Sequence, residues 1–162
     1  MITLMTIALL TFAAIMVVVC VESNTIPLSV TDTALLCKYP LRWVWYFTAF
    51  FAIAGSAPAV IEATGDNTRF LVFLMMVAAA ISIATTFCEK DIASTPHAIA
   101  TIAFYLAGLA LLLCNTWWLA VLPIGAFAYG IIKNDLRWRL YTTTAFVLAL
   151  YIYAIIHFVI NN

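Results

Sequence analysis

The chain alternates between long apolar segments and short polar ones almost from end to end. Six apolar segments follow one another, most of them close to the roughly 20 residues that a helix needs to cross a bilayer. The predicted spans are residues 2–21, 41–63, 70–87, 97–114, 117–132 and 140–160. These runs are continuous rather than alternating, so they indicate helices and not the strands of a membrane barrel. The pattern predicts an all-α, polytopic six-helix transmembrane bundle, with residues 1–162 forming a single integral membrane domain.

The composition supports lipid as the main solvent. Hydrophobic residues make up 67% of the chain, and the mean hydropathy is +1.13, whereas soluble domains are about half apolar. A soluble core formed by 162 residues could not bury so much apolar surface. The outer surface of the bundle is therefore expected to face lipid.

The basic residues predict an orientation. Six spans place both termini on one side and loops one, three and five on the other. That second side carries six of the seven basic residues, namely Lys38, Arg42, Lys90, Lys133, Arg137 and Arg139, while the terminal side carries Arg69. Short loops rich in Lys and Arg stay in the cytoplasm. We expect a protein of the bacterial cytoplasmic membrane, with loops one, three and five cytoplasmic and both termini outside.

Tryptophans and small residues refine the spans. Tryptophan prefers the headgroup zone, which predicts an aromatic belt formed by Trp43, Trp45 and Trp138 at one end and by Trp117 and Trp118 at the other. Small residues let helix backbones approach closely in a membrane. They predict helix contacts around Gly55, Ala78 and Gly130, and Pro58 and Pro123 are expected to kink their helices.

The two histidines do not form a shared site. His97 begins the fourth span and His157 lies near the opposite end of the sixth, so they should lie on the order of 20 Å apart in depth at ~1.5 Å per helical residue. None of the four cysteines, Cys20, Cys37, Cys88 and Cys114, belongs to a CxxC motif. We therefore expect no cofactor and no metal.

One polar group is a candidate site. The first loop, about residues 22–40, contains Ser29 and Asp32, and the orientation places it on the same side as His97. These three side chains could bind a lipid headgroup or carry out acid–base chemistry. The alternative is that His97 only caps its own helix and that the loop is solvated.

Three short motifs carry a resemblance to a known group. They are Ile26-Pro27-Leu28-Ser29-Val30-Thr31, then Trp43-Val44-Trp45-Tyr46-Phe47, then Pro96-His97-Ala98. The arrangement resembles the six-span Frag/DRAM/Sfk-type membrane proteins and their uncharacterised bacterial relatives, although Thr31 stands where a second serine is usual. The resemblance implies a six-helix integral membrane protein, without an agreed activity for the bacterial members. It also implies cytoplasmic termini for the eukaryotic members, opposite to the orientation that the charges predict.

Three functions remain open at this point. The first is a non-enzymatic helical bundle that binds lipid or a protein partner. The second is a small transporter or channel subunit, for which a 3+3 inverted repeat is the usual design. The third is a lipid-modifying enzyme that uses Ser29, Asp32 and His97. The expected partners are membrane lipids, with a second copy of the chain or other membrane proteins as alternatives, and no nucleic acid.

Overall fold

The all-α, six-helix fold is confirmed. This computed structural model describes residues 1–88 and 95–161, without the side chains of Cys88 and Asn161. Its helices are α1 (Ile2–Ser23), α2 (Asp32–Leu36), α3 (Leu41–Ala63), α4 (Arg69–Cys88), α5 (Thr95–Thr116), α6 (Val121–Ile132) and α7 (Trp138–Asn161). The short α2 lies in the first loop, and the other six follow the predicted spans. Within the described ranges there is no strand. Lys90, one of the basic residues that predict the orientation, lies outside them.

Among the described residues, five helical stretches are long and apolar enough to cross a membrane. The number is five and not six because one stretch contains both α5 and α6. Residues Thr95–Ile132 form one apolar stretch of 38 residues. A 3₁₀ turn at Trp117–Ala120 separates the two helices, and the extended backbone of Thr116 (φ −151°, ψ 66°) interrupts the α-helical path. The α6 segment has 12 residues and spans about 18 Å at ~1.5 Å per residue, so it is the short span that the sequence predicts.

Contacts along α7 fix the direction of its neighbours. The ring of Phe127 in α6 packs edge-on against Trp138 at a centroid distance of 5.4 Å, so the end of α6 meets the start of α7. On α5, Tyr105 hydrogen-bonds Thr143 at 2.6 Å, and Thr116 lies beside His157 near the end of α7. Helices α5 and α7 are therefore parallel, and α6 runs back antiparallel to both.

Both termini lie at the same end of the bundle. The hydroxyl of Thr6, near the start of α1, lies 2.9 Å from that of Tyr151 in the second half of α7. At the other end, the backbone N–H of Leu140 donates to the Leu28 carbonyl at 3.3 Å, which joins the start of α7 to the first loop. We call this second end the loop end and the first the terminal end. The grouping of loops one and five at one end agrees with the predicted threading.

Small residues hold the helices together. A Cβ on Gly55 of α3 would lie 2.8 Å from the Ala8 Cβ of α1, so these helices meet at van der Waals distance. A Cβ on Gly108 of α5 would fall on the Phe146 ring of α7. Buried alanines recur at the other contacts: Ala34, Ala49, Ala52, Ala59, Ala63, Ala78, Ala100, Ala107, Ala120, Ala149 and Ala154. Small residues let the helices approach closely, and large buried side chains such as Met75, Leu111 and Phe146 fill the core between them.

The belt prediction is wrong for Trp45. Its side chain is completely buried and packs between the rings of Phe12 and Tyr46, at centroid distances of 5.7 Å and 5.2 Å. Trp43, Trp117 and Trp118 are exposed as predicted. The position of Trp45 one turn into α3 suits a belt or a core equally well. Its neighbour Phe12 comes from α1, and the sequence pattern does not place that helix.

The two prolines have different places in their helices. Pro58 lies within α3, which continues past it to Ala63, and the predicted kink there stays a prediction. Pro123 is the third residue of α6, where a missing N–H costs nothing because first-turn amides have no partner within the helix. The break before α6 therefore lies at Thr116–Ala120 and not at Pro123.

Substitution of Gly130 tests the α6–α7 turn. A Cβ there would lie 2.8 Å from the Trp138 backbone Cα, and a backbone atom cannot rotate away. We expect Gly130→Ala to destabilise the bundle by about 1–3 kcal/mol through overpacking, measured as resistance to unfolding in mild detergent. Gly125→Ala is the matched control, because nothing lies within 4 Å of its added methyl group. Equal stability of the two variants would contradict this turn.

Candidate functional site at the loop end

The first loop, residues 24–40 between α1 and α3, packs into the fold through its middle part, whereas residues 24–26 and 38–40 are exposed. Ser29 is 8% exposed, and Thr33 and Ala34 are completely buried. Cys37 is also buried, in a cluster that includes Val19, Trp45 and Tyr46. The loop therefore covers the loop end of the bundle and is not a solvated connection.

Three helices hold the loop through separate contacts. The Thr33 hydroxyl donates to the Met16 sulfur of α1 at 3.2 Å. The Arg42 guanidinium of α3 donates from Nε to the Ala34 carbonyl at 3.0 Å and from Nη2 to the Leu35 carbonyl at 3.4 Å. These carbonyls end α2, where a cation is favourable because the last carbonyls of a helix lack internal partners. The start of α7 adds the Leu28–Leu140 bond described above.

His97 connects the loop to α4 and α5. Its Nδ1 lies 3.0 Å from the Ser82 carbonyl and 3.0 Å from the Thr85 hydroxyl, and its Nε2 lies 3.5 Å from the Thr31 hydroxyl. A carbonyl only accepts hydrogen bonds, so Nδ1 is the donor; in the neutral ring Nε2 then accepts from Thr31. The ring is 8% exposed. His97 thus fixes the first loop against the α4–α5 pair.

Hydroxyl groups extend this network in both directions. Ser29 Oγ lies 3.1 Å from Thr31 Oγ1 and accepts the Asp32 backbone N–H at 3.2 Å. On the helix side, Ser82 Oγ lies 3.0 Å from Thr101 Oγ1. We call Ser29, Thr31, Ser82, Thr85, His97 and Thr101 the histidine cluster. Within it, hydrogen bonds satisfy polar groups that would otherwise be costly to bury.

The three predicted site residues have unequal places. Ser29 and His97 both belong to the histidine cluster, but Thr31 lies between them. Asp32 contributes its backbone N–H, and its carboxylate makes no hydrogen bond or ion pair with the described residues. Sequence reasoning missed Thr31, Ser82 and Thr85. The available signal was the spacing of Ser82 and Thr85, which places both hydroxyls on one face of α4 near its loop end.

Two titratable groups at the loop end, Asp135 and Cys37, have shifted pKa values. Between α6 and α7, the Arg137 guanidinium contacts Asp135 at 2.9 Å. Together with the Arg137 backbone N–H and the Tyr141 hydroxyl, it holds the pKa of Asp135 well below its usual range. In the first loop, burial raises the pKa of the Cys37 thiol to about 11, against an opposing effect of Arg42. Among residues 1–88 and 95–161, no group of three His, Cys, Asp or Glu side chains is placed to hold a metal ion.

His157 lies at the terminal end, far from the histidine cluster. It lines a shallow groove of about 230 Å³ with Asn115, Thr116 and Tyr153. The salt bridge of this end joins Arg69 to Asp66 at 2.7 Å. The two histidines are therefore at opposite ends of the bundle.

Comparisons with known proteins add no family or activity to this description. No protein-family model, no curated protein and no solved structure matches the chain. The resemblance to the Frag/DRAM/Sfk-type proteins accordingly stays a prediction.

Alkylation of Cys37 tests whether the first loop is docked. The thiolate is the reactive form, so a pKa near 11 predicts slow labelling at neutral pH and a rate that rises about tenfold per pH unit. His97→Ala should release the loop and raise the rate about tenfold, equivalent to a loss of ~1.4 kcal/mol of docking free energy. The remaining cysteines are replaced by alanine, and His157→Ala is the control. Fast labelling of Cys37 at pH 7 in the protein that keeps His97 would contradict a docked loop.

Proposed function

We propose that this chain is a non-enzymatic, multi-pass integral membrane protein that binds lipid at the loop end of its bundle. The observation that carries the proposal is the docking of the first loop on His97. This short connection contacts α1, α3, α5 and α7, although joining two spans requires no such contacts. It forms a fixed surface at the depth of the lipid headgroups.

The outward surface supports the membrane part of the proposal. Large apolar side chains are exposed on every long helix; examples are Leu10, Phe47, Phe73, Leu106 and Ile160. Soluble monomers rarely expose contiguous apolar patches larger than a few hundred Å². In a bilayer the same surface contacts acyl chains.

The geometry of the histidine cluster favours binding over catalysis. A general base needs a nitrogen within hydrogen-bond reach of a substrate proton, and in His97 both ring nitrogens contact protein groups. A Ser–His–Asp relay also needs a carboxylate that orients the ring. The Asp32 carboxylate makes no hydrogen bond to His97, so we assign His97 a positioning role.

Lipid retention tests this function. We expect His97→Ala to lower the amount of phospholipid that co-purifies with the protein by about fivefold, the effect of losing ~1 kcal/mol of loop docking. His97→Gln keeps a side-chain donor and acceptor and should restore part of the retention. His157→Ala, at the opposite end, is the control. If His97→Ala keeps its lipid while Cys37 becomes reactive, the docked loop has no part in lipid binding and the proposal fails.

We also propose the orientation that the charges predict, with the loop end in the cytoplasm. Arg42, Lys133, Arg137 and Arg139 all lie at the loop end, where short basic loops favour the cytoplasm. In a cysteine-free background, Gly65→Cys and Lys133→Cys place one thiol at each end, and both positions are exposed. An impermeant maleimide added outside intact cells should label Gly65→Cys alone. Labelling of Lys133→Cys alone would reverse the orientation.

A further inference from the structure

A groove opens at the loop end between the last turn of α1, the end of α2 and the start of α3. It has a volume of about 250 Å³ and is lined by Val19, Glu22, Ser23, Leu36, Lys38 and Leu41. We call it the α1–α3 groove. Two of its walls come from the docked first loop, so its shape depends on the contacts of that loop.

The groove carries one charge of each sign. Glu22 and Lys38 both line it, yet their side chains are not within ion-pair distance of each other, and neither side chain makes a hydrogen bond or ion pair with another described residue. Arg42, the next cation along the chain, is engaged with the Ala34 and Leu35 carbonyls. The carboxylate and the ammonium are therefore available to a ligand that carries both charges.

The remaining walls are apolar. Val19 is 1% exposed, and its side chain closes the inner side of the groove. Leu36 and Leu41 are partly buried and pack against the same cluster as Val19. Glu22 is the second-last residue of α1, and Leu41 is the first of α3. A ligand in this groove meets charged groups at the rim and hydrocarbon below it.

We propose that the α1–α3 groove binds the headgroup of a glycerophospholipid that carries a primary ammonium. Its phosphate lies at Lys38, its ammonium donates to Glu22, and its glycerol lies against Leu36 and Leu41. A groove of about 250 Å³ has the volume of several waters at ~30 Å³ each, which is enough room for a phosphoethanolamine headgroup. This inference rests on the proposed lipid-binding function and names the lipid class.

Glu22 is the group that selects the headgroup. A primary ammonium donates hydrogen bonds to a carboxylate, which strengthens the ionic contact. A choline headgroup has the same charge but no N–H, and a glycerol headgroup has no cation at all. The groove therefore favours ethanolamine lipids over choline lipids and over anionic glycerol lipids.

The test is lipid competition on the full chain. The protein is reconstituted in nanodiscs with equal parts of ethanolamine, choline and glycerol phospholipids, and the lipids retained after transfer to mild detergent are counted by native mass spectrometry. We expect ethanolamine lipid to exceed each of the others by about threefold, the effect of one partly exposed charge contact. Glu22→Gln should abolish this preference, and Lys38→Gln should lower retention of all three lipids. Lys133→Gln removes an exposed cation from the same end and is the matched control.

Exchanging the two charges distinguishes lipid binding in the groove from general electrostatic attraction of lipid to the protein surface. The double variant Glu22→Lys with Lys38→Glu keeps the net charge at zero and the fold contacts of the loop. If Glu22→Gln keeps the preference for ethanolamine lipid, the inference about the groove is overturned. The proposed lipid-binding function is tested separately, and it stands if His97→Ala loses lipid. If the double variant prefers ethanolamine lipid, unlike Glu22→Gln, this supports contact of the two side chains with both charges of the headgroup. Displacement of the lipid by soluble phosphoethanolamine at equal concentration would identify a soluble ligand instead and would also overturn it.

Discussion

The close approach of helix backbones at small residues is the constraint on which the rest of this structure depends. Where lipid surrounds a protein, burying apolar side chains gains little, because the lipid is equally apolar. Contacts such as Gly55 with Ala8, or Gly108 with Phe146, therefore decide which helices pair. Many other large apolar side chains face outwards, among them Leu10, Phe47 and Phe73. The close helix contacts also bring the ends of α1, α3, α5 and α7 close enough together for one short loop to touch all four.

That loop gives the loop end a surface on which defined side chains are held in fixed positions. Its hydrogen bonds come from different elements: a sulfur of α1, a guanidinium of α3, the His97 ring of α5 and a backbone amide of α7. No single contact is strong, since a net hydrogen bond contributes about 1 kcal/mol. Their distribution over four helices is what holds the loop in one position. The docked loop also forms part of the wall of the α1–α3 groove.

Much of the fold could be predicted from the sequence, because span length and apolar continuity are local properties. The predicted span of residues 41–63 coincides with α3, and the short fifth span matches the 3₁₀ turn with α6. The burial of Trp45 could not be predicted in the same way, since it depends on Phe12 from another helix. For the candidate site, the sequence placed Ser29 and His97 at the same end. It did not identify Thr31, because its role depends on the register between the loop and α5.

The central claim is that residues 24–40 are a docked part of the bundle. The most direct measurement is amide hydrogen exchange of this segment in lipid nanodiscs at neutral pH. Docking predicts that the amides of Ala34 and Cys37, which donate to Thr31 and Thr33 carbonyls beneath buried side chains, exchange as slowly as those in the first half of α3. Exchange of these amides at the rate of an unstructured peptide would contradict the account.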